Sequence, residues 1–328
     1  MCGIFGNYSK DITKSRKSLE LLKHRGPDSI GEFIEDHNEK YIYLGHTRLS
    51  IIDLSQSGKQ PMISEDGQVV IIYNGEIYNF NSLKEKHLKN EKFQSKTDTE
   101  VVLKLYIKYG IKFLNELNGD FSFAIYDKRI SKIYLARDRF GIKPLYYIKD
   151  DYGFIFSSEI KSLLKSRGQI PLEEENLQNF ILFKYSPRSE TLFKNVFKLM
   201  PGHFLEFDMD KNNFSLNKYW ALQKDKYVSN LSYSDMKAEL SNLISDSVNM
   251  RLISDVPVGN FLSGGVDSSI IGYFLKDKPD ISHYCARKSD SDLKLEGSSS
   301  DYYYADKLST EWNLKLNPLD IGIGDTNS

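Results

Sequence analysis

The chain has 328 residues, of which 40% are hydrophobic, and a formal net charge of −1, so it is long enough for two globular domains. A charge this close to zero gives no electrostatic reason to expect nucleic acid or a membrane surface as a partner. There is no apolar run of about eighteen residues and no basic segment followed by a long apolar one, so we expect a cytoplasmic protein without a membrane span or secretory signal.

Position 2 carries the most reactive group of the N-terminal region. Removal of Met1 would leave Cys2 with a thiol and a free α-amine, whose ordinary pKa values of about 8.5 and about 8 allow proton transfer near neutral pH. This combination predicts a nucleophile that needs no histidine as its base, although a cysteine can also stand at position 2 by chance. Cys285 lies in the apolar run 281–286 and is expected to be a small buried core residue.

The first half of the chain is rich in predicted strands. Short β-branched or aromatic runs are bounded by Gly, Asp, Asn or Pro, which is typical of antiparallel sheets. Helices are predicted over residues 13–23 and 98–109, and Thr97 and Glu100 form a capping box at the start of the second. The predicted strands are 41–44, 69–73, 121–126, 132–136, 145–148 and 153–156.

The polar stretch 211–230 has little periodicity and predicts a linker, with Tyr219 and Trp220 as anchors on a neighbouring surface. It separates an expected first domain, 2–210, from a second, 231–328. Helix and strand alternate beyond the linker, which is typical of a parallel α/β sheet. The predicted elements there are helix 233–252, strand 256–262, helix 268–275, strand 281–285 and helix 301–312.

The segment 263–268, Ser-Gly-Gly-Val-Asp-Ser, joins a predicted strand to the next helix. Glycines that permit unusual backbone angles, exposed amides at a helix N-terminus and three hydroxyl groups, counting Ser269, together predict a phosphate-binding turn. The Walker pattern is absent, and Asp267 among these donors indicates that a divalent cation accompanies the phosphates of a nucleotide. A plain strand-to-helix turn with capping serines is the alternative interpretation.

Six motifs precede this turn in a fixed order. They are Cys-Gly-Ile-Phe-Gly at 2–6, His-Arg-Gly-Pro-Asp at 24–28, His-Thr-Arg-Leu-Ser-Ile at 46–51, Tyr-Asn-Gly-Glu-Ile-Tyr-Asn at 73–79, Thr-Asp-Thr-Glu at 97–100 and Arg-Asp-Arg-Phe-Gly-Ile-Lys-Pro-Leu-Tyr-Tyr at 137–147. In composition and order they resemble the glutamine-hydrolysing asparagine synthetase family, and segment 263–268 resembles the pyrophosphate loop of its synthetase domain. The resemblance extends to about Ser269 and weakens beyond it.

This resemblance implies an α+β N-terminal domain, a four-layer αββα sandwich of antiparallel sheets, which is a class II glutamine amidotransferase of the N-terminal nucleophile type. A partial α/β parallel-sheet PP-loop domain would follow. The family's second acidic loop and its aspartate-binding helices would lie beyond Ser328, so we expect the ATP-binding domain to be truncated.

The resemblance also implies the roles of individual residues. Cys2 would attack the side-chain amide of glutamine, while the Asn74 side chain and the Gly75 amide hold the oxyanion. Arg48 would bind the α-carboxylate of the substrate and Asp98 its α-ammonium group. The implied glutamine-binding residues are Arg48, Leu49, Ser50, Ile51, Asn74, Gly75, Glu76 and Asp98. His24 and His46 are expected to be structural, because the terminal amine already supplies a base.

In the second domain the resemblance implies that ATP adenylates aspartate and that ammonia then yields asparagine, AMP and pyrophosphate. The implied ATP contacts are Leu262, Ser263, Gly264, Gly265, Asp267 and Ser268, with Asp267 and the phosphates holding Mg²⁺. Two alternatives stay open, namely amidation of another carboxylate acceptor, and a fragment that only hydrolyses glutamine or serves as a binding module. The expected partners are glutamine and aspartate, and a homodimer is also open.

Overall fold

The computed structural model describes residues 1–223, 231–288 and 301–322, and the chain divides into two compact units, Met1–Tyr227 and Val228–Ser328. The first unit contains helices α1 (Ser15–Glu20), α2 (Phe80–His87), α3 (Asp98–Tyr109), α4 (Ile160–Arg167) and α5 (Glu174–Phe183), and 3-10 turns at Gln56–Gly58, Gly110–Glu116 and Lys128–Ile130. Its strands are β1 (Gly3–Ser9), β2 (Ser29–His37), β3 (Lys40–Arg48), β4 (Met62–Ile63), β5 (Val69–Ile77), β6 (Gly119–Asp127), β7 (Lys132–Arg137), β8 (Tyr146–Asp150), β9 (Gly153–Ser157), β10 (Phe197–Lys198), β11 (His203–Asp208) and β12 (Asn213–Lys218).

These strands form two six-stranded antiparallel sheets. The first sheet has the order β10-β8-β9-β1-β3-β2, and the second has the order β12-β11-β7-β6-β5-β4. Alternation along β5 decides which residues lie between the sheets, since successive side chains point to opposite faces. Val70 and Ile72 belong to the apolar cluster between the two sheets, while Val69, Ile71 and Tyr73 pack with α2 and α3.

A third apolar cluster completes the layers. Phe5 and Tyr43 of the first sheet pack there with Leu19 of α1 and Leu163 of α4. Each sheet therefore has helices on its outer face and the other sheet on its inner face. This arrangement confirms the predicted αββα sandwich of antiparallel sheets.

Helix α3 has the predicted bounds and the predicted cap, because the Thr97 side chain accepts from the amide of Glu100. The expected return contact from Glu100 is wrong. Its carboxylate accepts instead from the amides of Gln94 and Ser95, which lie just before the helix in the chain. Several observed strands are longer than predicted; β5, for example, continues through Asn74 and Gly75 to Ile77.

The predicted start of the linker at residue 211 is wrong. Residues 213–218 form β12, which pairs with β11 from His203 opposite Lys218 to Asp208 opposite Asn213. Only two apolar residues alternate along this strand, so main-chain pairing rather than a strong hydrophobic pattern defines it. Tyr219 is an anchor as expected, because its hydroxyl donates to the carbonyl oxygen of Arg137 at 2.8 Å. Residues 224–230 of the predicted linker lie outside the described residues.

The second unit contains a parallel sheet of β13 (Gly259–Phe261), β14 (Ser282–Lys288) and β15 (Leu316–Ile321), with helices α6 (Tyr233–Met250), α7 (Val266–Leu275) and α8 (Asp301–Trp312). This confirms the predicted α/β arrangement. Leu262, Cys285 and Ala305 form its buried cluster, as expected for Cys285. Large apolar side chains are also exposed in its described part, including Phe261 at 78% and Leu243 at 60%. None of the described helices of either unit has the length and apolar character that a membrane crossing requires.

Candidate active site

Cys2 lies immediately before β1, where β1 pairs with the end of β3. The Leu49 amide donates to the Cys2 sulfur at 3.4 Å, and the thiol lies 3.6 Å from the Leu49 carbonyl oxygen. Arg25 Nε donates to the Cys2 carbonyl oxygen at 2.9 Å. Burial raises the pKa of the Cys2 thiol, and the bond from the Leu49 amide opposes that effect.

Motif 24–28 packs directly on motif 46–51. The Ser50 amide donates to Asp28 at 2.7 Å, and the Asp28 amide donates to the Arg48 carbonyl oxygen at 3.0 Å. A side chain at Gly26 would clash with the carbonyl of Thr47, so only glycine permits this approach. The loop therefore supports the chain segment that holds the Cys2 sulfur.

A pocket beside Cys2 collects side chains from four of the sequence motifs. Of the residues that the sequence singled out, it is lined by Cys2, Arg48, Leu49, Ile51, Gly75, Glu76 and Asp98. Ser50 and Asn74 are not part of this lining. Gln60, Gly58 and Thr99 also line the pocket and were not predicted from the sequence. Gln60 lies between a short turn and a proline, and nothing in that local pattern indicates a binding residue.

Asn74 lies directly behind the pocket. It is 1% exposed and follows Ile72 on the face of β5 that points between the sheets. Its amide nitrogen donates to the Ser122 hydroxyl at 3.4 Å, and that hydroxyl donates to the Pro144 carbonyl oxygen at 3.2 Å. The orientation of the Asn74 amide is therefore tied to β6.

Gly75 lies where β5 has no room for a side chain against β6. It pairs with Phe121, and a side chain there would clash with the Asp120 carbonyl and the Phe121 backbone. A larger residue would push β5 away from β6. Glycine thus sets the position of the backbone amides beside Cys2.

The Arg48 guanidinium lies at one side of the pocket and is 6% exposed. It donates to the carbonyl oxygens of Ser55 at 2.8 Å, Ile52 at 3.4 Å and Asp53. A guanidinium has five N–H donors, so these three contacts fix its position and leave capacity to bind an anion.

Two carboxyl groups, those of Glu76 and Asp98, line the same pocket. Asp98 is 4% exposed and accepts from the Tyr73 hydroxyl at 2.7 Å and the Ile77 amide at 2.8 Å. Burial raises the pKa of Asp98, and these hydrogen bonds oppose the shift. Burial also raises the pKa of Glu76, and the nearby Asp98 charge raises it further. A cation between the two carboxylates would relieve their repulsion.

In the second unit, segment 263–268 follows β13 closely and runs into the first turn of α7. Gly264 has a φ of 78°, and α8 packs against it, since a side chain there would clash with Tyr304. The hydroxyls of Ser263 and Ser268 lie 3.0 Å apart, and the Ser263 amide donates to the Ser268 hydroxyl at 3.2 Å. The carboxyl ends of parallel strands are where open α/β sheets bind ligands.

The donor set of this turn suits phosphate oxygens. Gly265 is exposed and caps α7, so the amides of the first helical turn face open space. Asp267 is exposed in that first turn and is a candidate ligand for a cation that also binds phosphate. No group of three or more His, Cys, Asp or Glu side chains arranged for a metal occurs among the described residues. Leu262 is fully buried and its amide donates to the Tyr284 carbonyl oxygen at 2.8 Å, so the structure does not expose this implied ATP contact.

Residues 1–220 match the family model described as glutamine amidotransferase domain, and residues 239–321 match that described as asparagine synthase. The putative asparagine synthetase [glutamine-hydrolyzing] 2 of Methanocaldococcus jannaschii is 40% identical over 305 residues, covering 86% of this chain and 58% of that protein. Asparagine synthetase [glutamine-hydrolyzing] 2 of Bacillus subtilis is 38% identical over 300 residues, covering 86% of this chain and 39% of that protein.

The chain therefore spans about half the length of these relatives. Among solved structures, the glutamine phosphoribosylpyrophosphate amidotransferase from B. subtilis complexed with ADP and GMP superposes with a TM-score of 0.51. The match covers 91% of this chain and 71% of that one at 16% identity, so it supports the fold alone.

Proposed function

Because this chain belongs to the glutamine amidotransferase domain family and carries an asparagine synthase domain after it, we propose that it hydrolyses glutamine at Cys2 and uses the ammonia to amidate aspartate with ATP. One observation carries the first half of this proposal. The pocket beside the Cys2 sulfur has a guanidinium, Arg48, the half-buried carboxyl group of Glu76 and the buried carboxyl group of Asp98. These groups complement the α-carboxylate and the α-ammonium of an amino acid.

The amide of such an amino acid would extend toward Cys2. After removal of Met1, the thiol gives its proton to the α-amine of Cys2, and the sulfur attacks the side-chain carbonyl carbon of glutamine. The Asn74 side-chain amide and the Gly75 main-chain amide donate to the oxyanion, and one such preorganised donor is worth roughly 3 kcal/mol of the barrier. As the intermediate collapses, the C–N bond breaks, and the leaving nitrogen takes the proton from the terminal ammonium and departs as ammonia. Water then hydrolyses the thioester, releasing glutamate and the free thiol.

Leu49 and Ser50 have supporting roles in this proposal. The Leu49 amide, 3.4 Å from the sulfur, favours the thiolate against the effect of burial. Ser50 is tied to Asp28 and holds the segment that also carries Ile51 into the pocket. These contacts fix the sulfur before substrate arrives, which lowers the entropy cost of reaching the reactive geometry.

In the second unit, we propose that segment 263–268 binds the diphosphate part of ATP. ATP supplies the adenylyl group that activates the β-carboxylate of aspartate. The hydroxyls of Ser263 and Ser268 and the amides near Gly264 and Gly265 would hold the phosphate oxygens that leave, and Asp267 would share Mg²⁺ with them. Since ATP, glutamine and aspartate are metabolites of the cytoplasm, we place the reaction there.

The experiment that tests this function measures both half-reactions on the purified chain. We expect glutamate to form from glutamine, and asparagine, AMP and pyrophosphate to form when ATP, Mg²⁺ and aspartate are added. If glutamate forms without asparagine, and another carboxylic acid drives pyrophosphate release, then that acid and not aspartate is the acceptor. Glutamate formation with no ATP turnover for any acceptor would reduce the activity to that of a glutaminase.

A further inference from the structure

The main chain of Tyr73 is held by two side chains from outside its own sheet ladder. Its amide donates to Gln60 Oε1 at 2.6 Å, and its carbonyl oxygen accepts from His46 Nε2 at 3.0 Å. Gln60 precedes β4, and His46 lies in β3 of the opposite sheet. Both main-chain polar groups of Tyr73, the amide and the carbonyl, are therefore held by side chains.

The reason is that β4 is too short to cover β5 at this point. β4 pairs with β5 only through Met62 opposite Ile71 and Ile63 opposite Val70. On its other side, Tyr73 lies opposite Phe123 of β6. In an antiparallel sheet, alternate residues direct their main-chain groups to alternate neighbours, so Tyr73 would face an empty edge. His46 and Gln60 supply the donor and acceptor that a longer β4 would have supplied.

His46 is suited to this contact because it is fully buried and uncharged. Its Nδ1 has no partner among the described residues, and Nε2 must carry the proton because Tyr73 offers it a carbonyl oxygen. Burial lowers the pKa of His46 to about 3, so the ring stays neutral throughout the working range of an enzyme.

Gln60 links the same point to the helix layer. Its amide nitrogen donates to the Thr99 hydroxyl at 3.2 Å, one residue after Asp98 in α3. Gln60 is 5% exposed and lines the pocket. The side chains of His46 and Gln60 therefore connect β3, β5 and the start of α3.

The next two residues after Tyr73 are Asn74 and Gly75. We propose that His46 and Gln60 are positioning residues that hold the Tyr73 main chain, and through it the oxyanion donors of Asn74 and Gly75, in the reactive geometry. They do not touch the substrate amide in this role. The inference rests on the proposed glutamine hydrolysis at Cys2 and adds two residues to it.

The test compares His46→Leu, His46→Gln and Gln60→Leu with the unchanged enzyme in three measurements. These are kcat and KM for glutamine hydrolysis, the rate of Cys2 alkylation by iodoacetamide, and the thermal unfolding midpoint. Alkylation forms no oxyanion, so it reports whether the sulfur is still present and accessible. Leu44→Ala is the matched control, because Leu44 is equally buried and lies two residues before His46 on the same face of β3.

We expect kcat to fall about 10- to 100-fold in His46→Leu and in Gln60→Leu, with much smaller changes in KM and in the alkylation rate. His46→Gln should recover most of the loss, because its amide nitrogen can reach the Tyr73 carbonyl. The double variant His46→Leu, Gln60→Leu should lose less than the product of the two single losses, since both act on one peptide segment. Leu44→Ala should unfold at a lower temperature and keep its kcat.

Three results would overturn the inference. They are an unchanged kcat in His46→Leu, a loss of kcat matched by slower alkylation and by the Leu44→Ala control, or no recovery in His46→Gln. A complete lack of glutamine hydrolysis by the unchanged enzyme, with its N-terminal cysteine verified, would instead refute the proposed function and this inference with it.

Discussion

The Tyr73 hydroxyl donates a 2.7 Å hydrogen bond to the Asp98 carboxylate, joining β5 to the first turn of α3. Asp98 is the proposed acceptor for the substrate ammonium group, and Asn74 and Gly75, the proposed oxyanion donors, directly follow Tyr73. Tyr73 thus links the residue proposed to recognise the amino acid to the segment proposed to hold the oxyanion.

Asp98→Asn should weaken glutamine binding with little change in shape. Losing a charge-assisted contact of about 1.5–3 kcal/mol should raise KM for glutamine about 10- to 100-fold, with a smaller effect on kcat. Steady-state kinetics of glutamate formation measure both. Asp127→Asn is the matched control, because Asp127 is also buried and accepts from a tyrosine hydroxyl, that of Tyr106 at 2.9 Å. Equal KM values in the two variants would contradict the role of Asp98.

Glu76→Gln should change how stability depends on pH. Burial and the Asp98 charge raise the folded pKa of Glu76 above its ordinary value of 4.5. Between the unfolded and folded values the folded protein keeps a proton that the unfolded chain has lost, so the free energy of unfolding falls as pH rises through this window. Replacing the Glu76 carboxyl group should make the free energy of unfolding less dependent on pH in this window. Urea unfolding at several pH values from 4.5 upward measures it, and an equally steep fall in Glu76→Gln would count against the assignment.

Gly75→Ala should inactivate glutamine hydrolysis. The added methyl group would clash with the Asp120 carbonyl, so β5 must shift from β6 at a cost of roughly 1–3 kcal/mol. Gly67→Ala is the control for replacing a glycine, because Gly67 has a φ of 70° but no atom near its missing side chain. That control should lose about 1–2 kcal/mol of stability and keep its activity. Retained kcat in Gly75→Ala would show that the strand spacing does not matter.

Asp267→Asn should separate the two half-reactions. The variant removes a candidate cation ligand in the first turn of α7, so aspartate-dependent pyrophosphate release should fall while glutamine hydrolysis continues. Asp277→Asn, an exposed acidic residue just beyond the other end of α7, should leave both rates unchanged. Release of pyrophosphate at the same rate in all three proteins would remove Asp267 from the phosphate site.

The sequence predicts α3 closely because its start and end carry local signals, the Thr97 cap and Gly110 after the last turn. The strand predicted from the sequence, 69–73, is shorter than β5 because Asn74 and Gly75 are typical turn residues. In the structure, pairing with β6 keeps these two residues extended. Cys2, Arg48 and Asp98 stand out as chemical groups and do meet at one pocket.

Gln60 could not be found from the sequence in the same way. Its contact with Tyr73 exists only because β4 ends early, and strand length depends on tertiary pairing rather than on local composition. The sequence predicts a structural role for His46, and its bond to Tyr73 connects strands of two different sheets, β3 and β5. A single sequence does not encode such a contact in any local pattern.

The most direct test of Cys2 as the nucleophile is mass spectrometry of the N-terminal peptide after rapid acid quench during glutamine turnover. We expect Met1 to be absent and a γ-glutamyl group to be attached to Cys2 in the unchanged enzyme, and we expect Cys2→Ala to lack the adduct and to form no glutamate. Glutamate formation by Cys2→Ala, or a γ-glutamyl group on another residue, would contradict the assignment of Cys2 as the nucleophile.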